Sequence, residues 1–176
     1  MGRTTTVQMV TAIAAGLAIL APSWTAFARP PYTSPERDFS VAFPAAPKID
    51  AHPAQNQDAS AYWIYSAERH GGAFLVRVDQ YPAGIPVPEP TRRIYELLLG
   101  AHAKESSSRL ISIQSVPLGA FPSLQGVFTD DTGAIEKRRV VMAGHRLYQI
   151  FYTHAERTEV SAVGDAFLAS FQIPGR

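Results

Sequence analysis

The sequence predicts an α+β domain, a predominantly antiparallel sheet with two helices packed on it. Three observations carry this. Short segments with apolar residues at every second position recur between clusters of turn-forming residues, the mark of half-buried strands. Two other segments repeat apolar residues at helical spacing. The late strand candidates are joined by turns too short for anything but antiparallel neighbours.

The first 28 residues stand apart from that domain. Arg3 precedes an uncharged apolar run from Val7 to Leu20, followed by Pro22 and the small-residue pattern Ala26-Phe27-Ala28. This is the pattern of a secretory signal peptide, with the mature chain starting at Arg29. A retained membrane anchor fits less well, because a span needs about 20 apolar residues and this run is shorter and broken by Thr11, Gly16 and Pro22. Removing 28 of the 176 residues leaves 148, the size of one domain with one core. No second apolar run of similar length follows, so no membrane span is expected after cleavage.

Residues 29–37 contain three prolines and read as a flexible leader, so the domain is expected over 38–173. Phe39, Val41 and Phe43 alternate with Ser40 and Ala42 as a first strand, which Pro44 and Pro47 end. Residues 48–59 read as a polar connection. Strands over Ser60–Arg69 and Ala73–Tyr81 flank His70-Gly71-Gly72, a hairpin turn in which glycine supplies positive backbone angles. A Gly71-Gly72 loop would set Trp63 opposite Gln80 and Tyr65 opposite Val78. Trp63, Tyr65, Phe74, Val76 and Val78 then share an apolar face, while Ile64, Glu68, Arg77 and Asp79 share a mixed one.

Pro82–Pro90 leads into a helix over Thr91–Ala103, with Ile94, Leu97, Leu98 and Ala101 at helical spacing. After the solvated stretch Lys104–Ser108, strands follow at Leu110–Val116, Leu124–Thr129, Ile135–Ala143 and Arg146–Thr153. Asp130-Asp131-Thr132-Gly133 and Gly144-His145 make tight turns of a meander. The last helix carries Val160, Val163, Phe167 and Phe171 on one stripe, with Thr158 as N-cap and Gly164 weakening its middle.

Composition narrows the function classes. With no cysteine, the chain has no disulfide framework, thiol nucleophile or thiolate metal ligand. Arg3 is the only charged residue among the first 28, so the remainder carries 15 basic and 15 acidic residues. Such a balance argues against nucleic acid or an anionic membrane as the main partner. Asp131-Thr132-Gly133-Ala134 looks like the loop of retroviral-type aspartic proteases, but Thr129 and Asp130 stand where that motif has apolar residues, and a hairpin turn accounts for it. Asp130 and Asp131 lack the alternating oxygen ligands of a calcium loop. His52, His70, His102, His145 and His154 have no zinc spacing, so no metal and no cofactor is expected. Neither a nucleophile elbow nor a glycine loop opening a helix is present. Lys137, Arg138 and Arg139 alternate across a strand and divide their charge between two faces.

Two segments are familiar together: Phe39-Ser40-Val41-Ala42-Phe43-Pro44-Ala45-Ala46-Pro47-Lys48, and Arg146-Leu147-Tyr148-Gln149-Ile150 followed by Phe167-Leu168-Ala169-Ser170-Phe171. In these the chain resembles small exported bacterial domains with the PsbP-like α/β/α sandwich, over most of residues 38–173. PsbP is an extrinsic subunit of the photosynthetic oxygen-evolving complex, and the resemblance implies an accessory or binding role rather than an enzyme. It carries over packing positions and no functional residue.

The functional expectation is therefore a non-catalytic exported domain, periplasmic or secreted, acting through contacts with an envelope protein or by self-association. The alternative is a carrier or sensor of a small apolar ligand. Its pocket would be lined by Trp63, Tyr65, Tyr148 and Tyr152, with Arg77 or Arg139 orienting the ligand's polar end.

Overall fold

The computed structural model describes residues 30–69, 71–87, 89–154 and 161–174, the side chain of Ser161 excepted. Among the described residues, nine strands and two helices follow in the order β1 (Tyr32–Thr33), β2 (Ser40–Val41), β3 (Lys48–His52), β4 (Ala61–Arg69), β5 (Gly72–Gln80), α1 (Arg92–Glu105), β6 (Arg109–Ser115), β7 (Ser123–Thr129), β8 (Ile135–Ala143), β9 (Arg146–His154) and α2 (Ser161–Ser170). Seven strands form one sheet in the order β3-β4-β5-β9-β8-β7-β6, with every neighbouring pair antiparallel. This is the predicted α+β class.

The sheet is covered diagonally. On one face Tyr65, Phe74, Val76, Tyr148, Ile150 and Tyr152 pack against Phe167 and Phe171 of the α2 segment and against Phe39, Val41 and Phe43 from the N-terminal segment. On the other face, at the opposite end of the sheet, Leu124, Phe128, Val140, Met142 and Leu147 pack against Tyr95 and Leu99 of α1. Each large apolar side chain so buried contributes about 1.5–3 kcal/mol relative to leaving it in water. Tyr95 is fully buried with its hydroxyl satisfied twice: it donates to the Pro122 carbonyl and accepts the Met142 N–H, each at 3.0 Å. That pair of bonds fixes α1 to the β7 and β8 end of the sheet.

Four local expectations are corrected. The leader's Tyr32 and Thr33 pair with Val41 and Ser40, and Ser34 is buried with its hydroxyl donating to Asp38. Asp38 in turn accepts from Arg146 and from the Tyr148 hydroxyl, so residues 32–41 are tied to β9. Lys48–His52, read as a polar connection, is the edge strand β3. The hairpin closes one residue earlier than expected, with Arg69 opposite Gly72, Trp63 opposite Val78 and Tyr65 opposite Val76. Gly71 has φ +74°, a conformation glycine adopts without strain, while His70 lies outside the described residues. The two-residue slip leaves every side chain on its predicted face, because strand periodicity is two. On α1 the buried stripe is Tyr95 and Leu99, and Leu97 is 61% exposed. Thr158 and Val160 also lie outside the described residues.

Gly164 is a packing requirement. A methyl group there would come within 2.1–2.3 Å of the buried Tyr152 ring, so α2 approaches β9 only because this position has no side chain. Gly100 on α1 has open space beside it. Gly164→Ala is expected to lose about 2–3 kcal/mol despite its better helix propensity, whereas Gly100→Ala gains about 0.5–1 kcal/mol. Urea denaturation of the two variants checks both signs.

Candidate interaction surface

The six residues singled out from sequence do not converge on a pocket. Tyr65, Tyr148 and Tyr152 are core residues, and the space between sheet and α2 is filled by phenylalanines. Phe39 lies edge-on to Tyr65 at 5.0 Å between centroids, Phe171 lies 5.7 Å from Tyr148, and Phe74 stacks with Tyr152 at 6.2 Å. Burial, with the nearby Asp38 charge adding to it, pushes the Tyr148 hydroxyl up to about 12. Burial likewise raises the hydroxyls of Tyr65 and Tyr152. Trp63 packs half-buried at the margin of this core.

The two arginines stand on opposite faces. Arg139 is 7% exposed beside the core, where its guanidinium donates to the Leu168 carbonyl in the last turn of α2 and to the Gln125 side chain, each at 3.0 Å. Burial lowers its pKa, and its cation sits where a helix terminus favours positive charge. Arg77 points to the other side of the sheet, away from all four aromatics.

That other side is where polar and aromatic chemistry collects. Among the described residues α1 covers the β6–β8 end and reaches Leu147 of β9, and no helix lies over the rest of this face on β3, β4, β5 and β9. Cross-strand partners share a face, so register assigns its occupants. Tyr62 and Asp79 stand beside His52; Ile64, Arg77 and Gln149 form the next row; Ser66, Leu75, Phe151 and Arg138 form a third. Tyr62, Ile64, Leu75 and Phe151 are all half-buried. They make an apolar centre with solvent on one side.

Charges around this centre are paired and stacked. His52 stacks on Tyr62 at 4.2 Å between centroids, and the Arg77 guanidinium lies 4.5 Å from the centre of the same Tyr62 ring. Arg77 donates to both oxygens of Asp79, at 2.7–3.1 Å, and the hydrogen bond is the first cause of its raised pKa. Gln149 donates to Asp79 and accepts from Arg138, so it bridges the two ion pairs. Arg138 stacks 3.7 Å from the Phe151 ring centre and donates to Glu136 at 2.7 Å. The His102 Nε2 of α1 approaches the same Glu136 oxygen at 2.9 Å. A continuous ladder thus runs from the sheet edge at His52 to the flank of α1.

Tyr62, Leu75, Arg138, Gln149 and Phe151 were missed as site candidates from sequence. Their signal is present in the alternation: between the core residues of β4, β5 and β9 stand Tyr62, Ile64, Leu75, Arg77 and Phe151, large residues that a plain solvated face does not need. Asp130-Asp131-Thr132-Gly133 is the β7–β8 turn. The Asp130 carboxylate accepts from the Thr132 hydroxyl and from the Thr132 and Ala134 N–H groups, and these bonds lower its pKa. Among the described residues, no three His, Asp or Glu side chains lie close enough to hold a metal ion, and no helix is long and apolar enough to cross a membrane. A shallow groove of about 460 Å³ lies at the end of β8, lined by Ile85, Pro86, Val87, Pro90, Met142 and His145 among others.

Glu136 sets a pH dependence. Burial alone pushes its carboxyl up, but hydrogen bonds and charge from His102 and Arg138 together outweigh burial and hold it below the ordinary 4.5. A depressed carboxylate contributes stability that is present above its unfolded value and lost as pH falls through the folded one. Glu136→Gln is therefore expected to cost about 1–3 kcal/mol at pH 7 and progressively less below about pH 4.5. Urea unfolding of both proteins between pH 7 and 3 measures this.

Neither the models of known protein families nor the curated proteins match the chain. Among solved structures, cyanobacterial PsbP (CyanoP) from Synechocystis sp. PCC 6803 superposes with a TM-score of 0.59 at 10% sequence identity, over 82% of this chain and 92% of that one. A protein from Bacteroides thetaiotaomicron VPI-5482 aligns with a TM-score of 0.44 at 11% identity, over 83% of this chain and 48% of that one. The element order, the antiparallel sheet and the first of these superpositions together make this a PsbP-like fold.

Proposed function

We propose that this protein is an exported, non-catalytic accessory domain of the cell envelope that holds another protein against the uncovered part of its sheet. The observation that carries the reading is the half-buried centre of Tyr62, Ile64, Leu75 and Phe151, framed by the stacked guanidiniums of Arg77 and Arg138. Tyrosine, arginine and large apolar side chains are the residues that anchor protein interfaces, because they bury much area at little entropic cost. Arg77, Asp79, Arg138 and Glu136 are already paired within the chain, so a partner need desolvate none of them as an isolated ion to reach the apolar centre. Export rests on the signal-peptide pattern of residues 1–28. Cleavage after Ala28 would keep Tyr32 and Ser34, the residues that tie the N-terminal segment to the domain.

The ligand-carrier alternative draws no support from its own residues, since Phe39, Phe167 and Phe171 take up the space beside Tyr65 and Tyr148. The test of the proposal is capture from envelope extract with the chain processed and purified from its own host. Leu75→Arg, at the open centre, is expected to reduce retention of a discrete protein by about tenfold or more while the melting temperature stays within a few degrees. Leu97→Arg, on the exposed side of α1, is expected to retain that protein as the parent chain does. Equal retention by both variants would contradict the proposal, as would a parent chain that retains nothing.

A further inference from the structure

The two edges of the seven-stranded sheet are finished differently. At β6 the ladder is broken by a bulge between Leu110 and Ser112, a device that bends an edge away from further pairing. At β3 the pairing with β4 runs without interruption from Lys48 to His52, and four of its five residues are exposed. Alternate residues of an edge strand turn both their N–H and C=O groups away from the sheet, where another strand completes them. Ile49, near the middle of this edge, is 45% exposed on the face that carries Tyr65, while Lys48 and Asp50 stand on the opposite face.

We propose that β3 pairs antiparallel with β3 of a second copy of this chain, across a two-fold axis at Ile49. The strand is self-complementary in that register. Ile49 meets the partner's Ile49, Lys48 meets the partner's Asp50, and Asp50 meets the partner's Lys48. Moving the axis to Asp50 sets two carboxylates against each other, and moving it to Lys48 sets two ammonium groups against each other, arrangements that like-charge repulsion disfavours. Asp50 keeps its contact with His52, 3.1 Å away, since a carboxylate accepts several hydrogen bonds. A two-fold axis perpendicular to the sheet leaves each face on its own side, so the dimer is one continuous sheet whose two open surfaces lie next to each other. The contact is short compared with the roughly 1,200–2,000 Å² of stable complexes, so the dimer is reversible. The inference stands on the edge alone and is independent of whether a different protein binds the open face.

Sedimentation velocity of the full chain over about 1 μM to 1 mM is expected to show reversible dimerisation. Lys48→Asp and Asp50→Lys are each expected to weaken it by about tenfold or more, and an equimolar mixture of the two variants to restore it, because one then carries two carboxylates where the other carries two ammonium groups. The chain has no cysteine, so a single introduced thiol reports the register. Ile49→Cys is expected to oxidise to a disulfide-linked dimer, and Ala51→Cys to form no covalent link while still dimerising reversibly, since the opposed Cβ atoms must approach to about 3.5–4.5 Å. A chain that stays monomeric throughout the range overturns the proposal. So does a dimer indifferent to both charge variants, or protection of the β3 amides that appears only when another protein is added.

Discussion

Nine consecutive residue pairs between β5 and β9 join the two halves of this molecule. Residues 72–80 belong to a three-stranded meander and residues 146–154 to a four-stranded one. Their pairing closes a long stretch of chain, an entropic cost that the contacts between the two halves must offset. The pairing also decides what each face becomes. It sets Phe74, Val76 and Val78 beside Tyr152, Ile150 and Tyr148 on one face, and Leu75 and Arg77 beside Phe151 and Gln149 on the other.

The first of these faces is complete only when the N-terminal segment and α2 both lie on it. Asp38 gathers Ser34, Arg146 and Tyr148 at one end, and the missing side chain of Gly164 lets α2 settle on Tyr152 at the other. The second face receives α1 at its far end only, because the chain enters α1 through the loop that leaves β5 and returns at once into β6. Among the described residues no other helix lies over β4 and β5, or over β9 beyond Leu147. A half-exposed apolar centre is costly in water, and the stacking of Arg77 on Tyr62 and Arg138 on Phe151 covers part of it, Arg77 with a partly hydrated guanidinium and Arg138 with a buried one paired to Glu136. Such stacking reduces the apolar area that this face shows to water.

Sequence periodicity made most of this fold legible, and the misses have physical causes. β4, β5 and β9 bury mainly one face, so alternation reveals them, whereas β8 buries residues on both faces from Arg138 to Met142 and is marked instead by the turns that bound it. β3 buries neither face, and its Lys-Ile-Asp-Ala-His reads as a connection because edge position, not composition, makes it a strand. β1 is two residues long and is held by Ser34 and Asp38, contacts that no pattern encodes. On α1, the leucine at position 97 suited the apolar stripe as well as Tyr95 did; the hydroxyl bonds of Tyr95 to Pro122 and Met142 decide which side turns inward. The interaction surface was harder to read. Attention falls on Trp63, Tyr65, Tyr148 and Tyr152 because they are large and aromatic, yet a buried face needs such residues for packing alone. The informative residues are those one position away, where Tyr62, Arg77 and Phe151 occupy a face that packing does not require to be apolar.

The central claim is that this open face is bare in the isolated protein and covered in the envelope. Hydroxyl-radical footprinting of aromatic side chains tests it directly, since neighbouring tyrosines point to opposite sides of β4. In the purified chain Tyr62 and Phe151 are predicted to label readily and Tyr65 and Tyr148 to remain nearly inert, as burial dictates. In intact envelopes Tyr62 and Phe151 are predicted to become protected while labelling of the exposed helix residue Leu97 is unchanged. Equal labelling of Tyr62 and Phe151 in both settings would contradict the account.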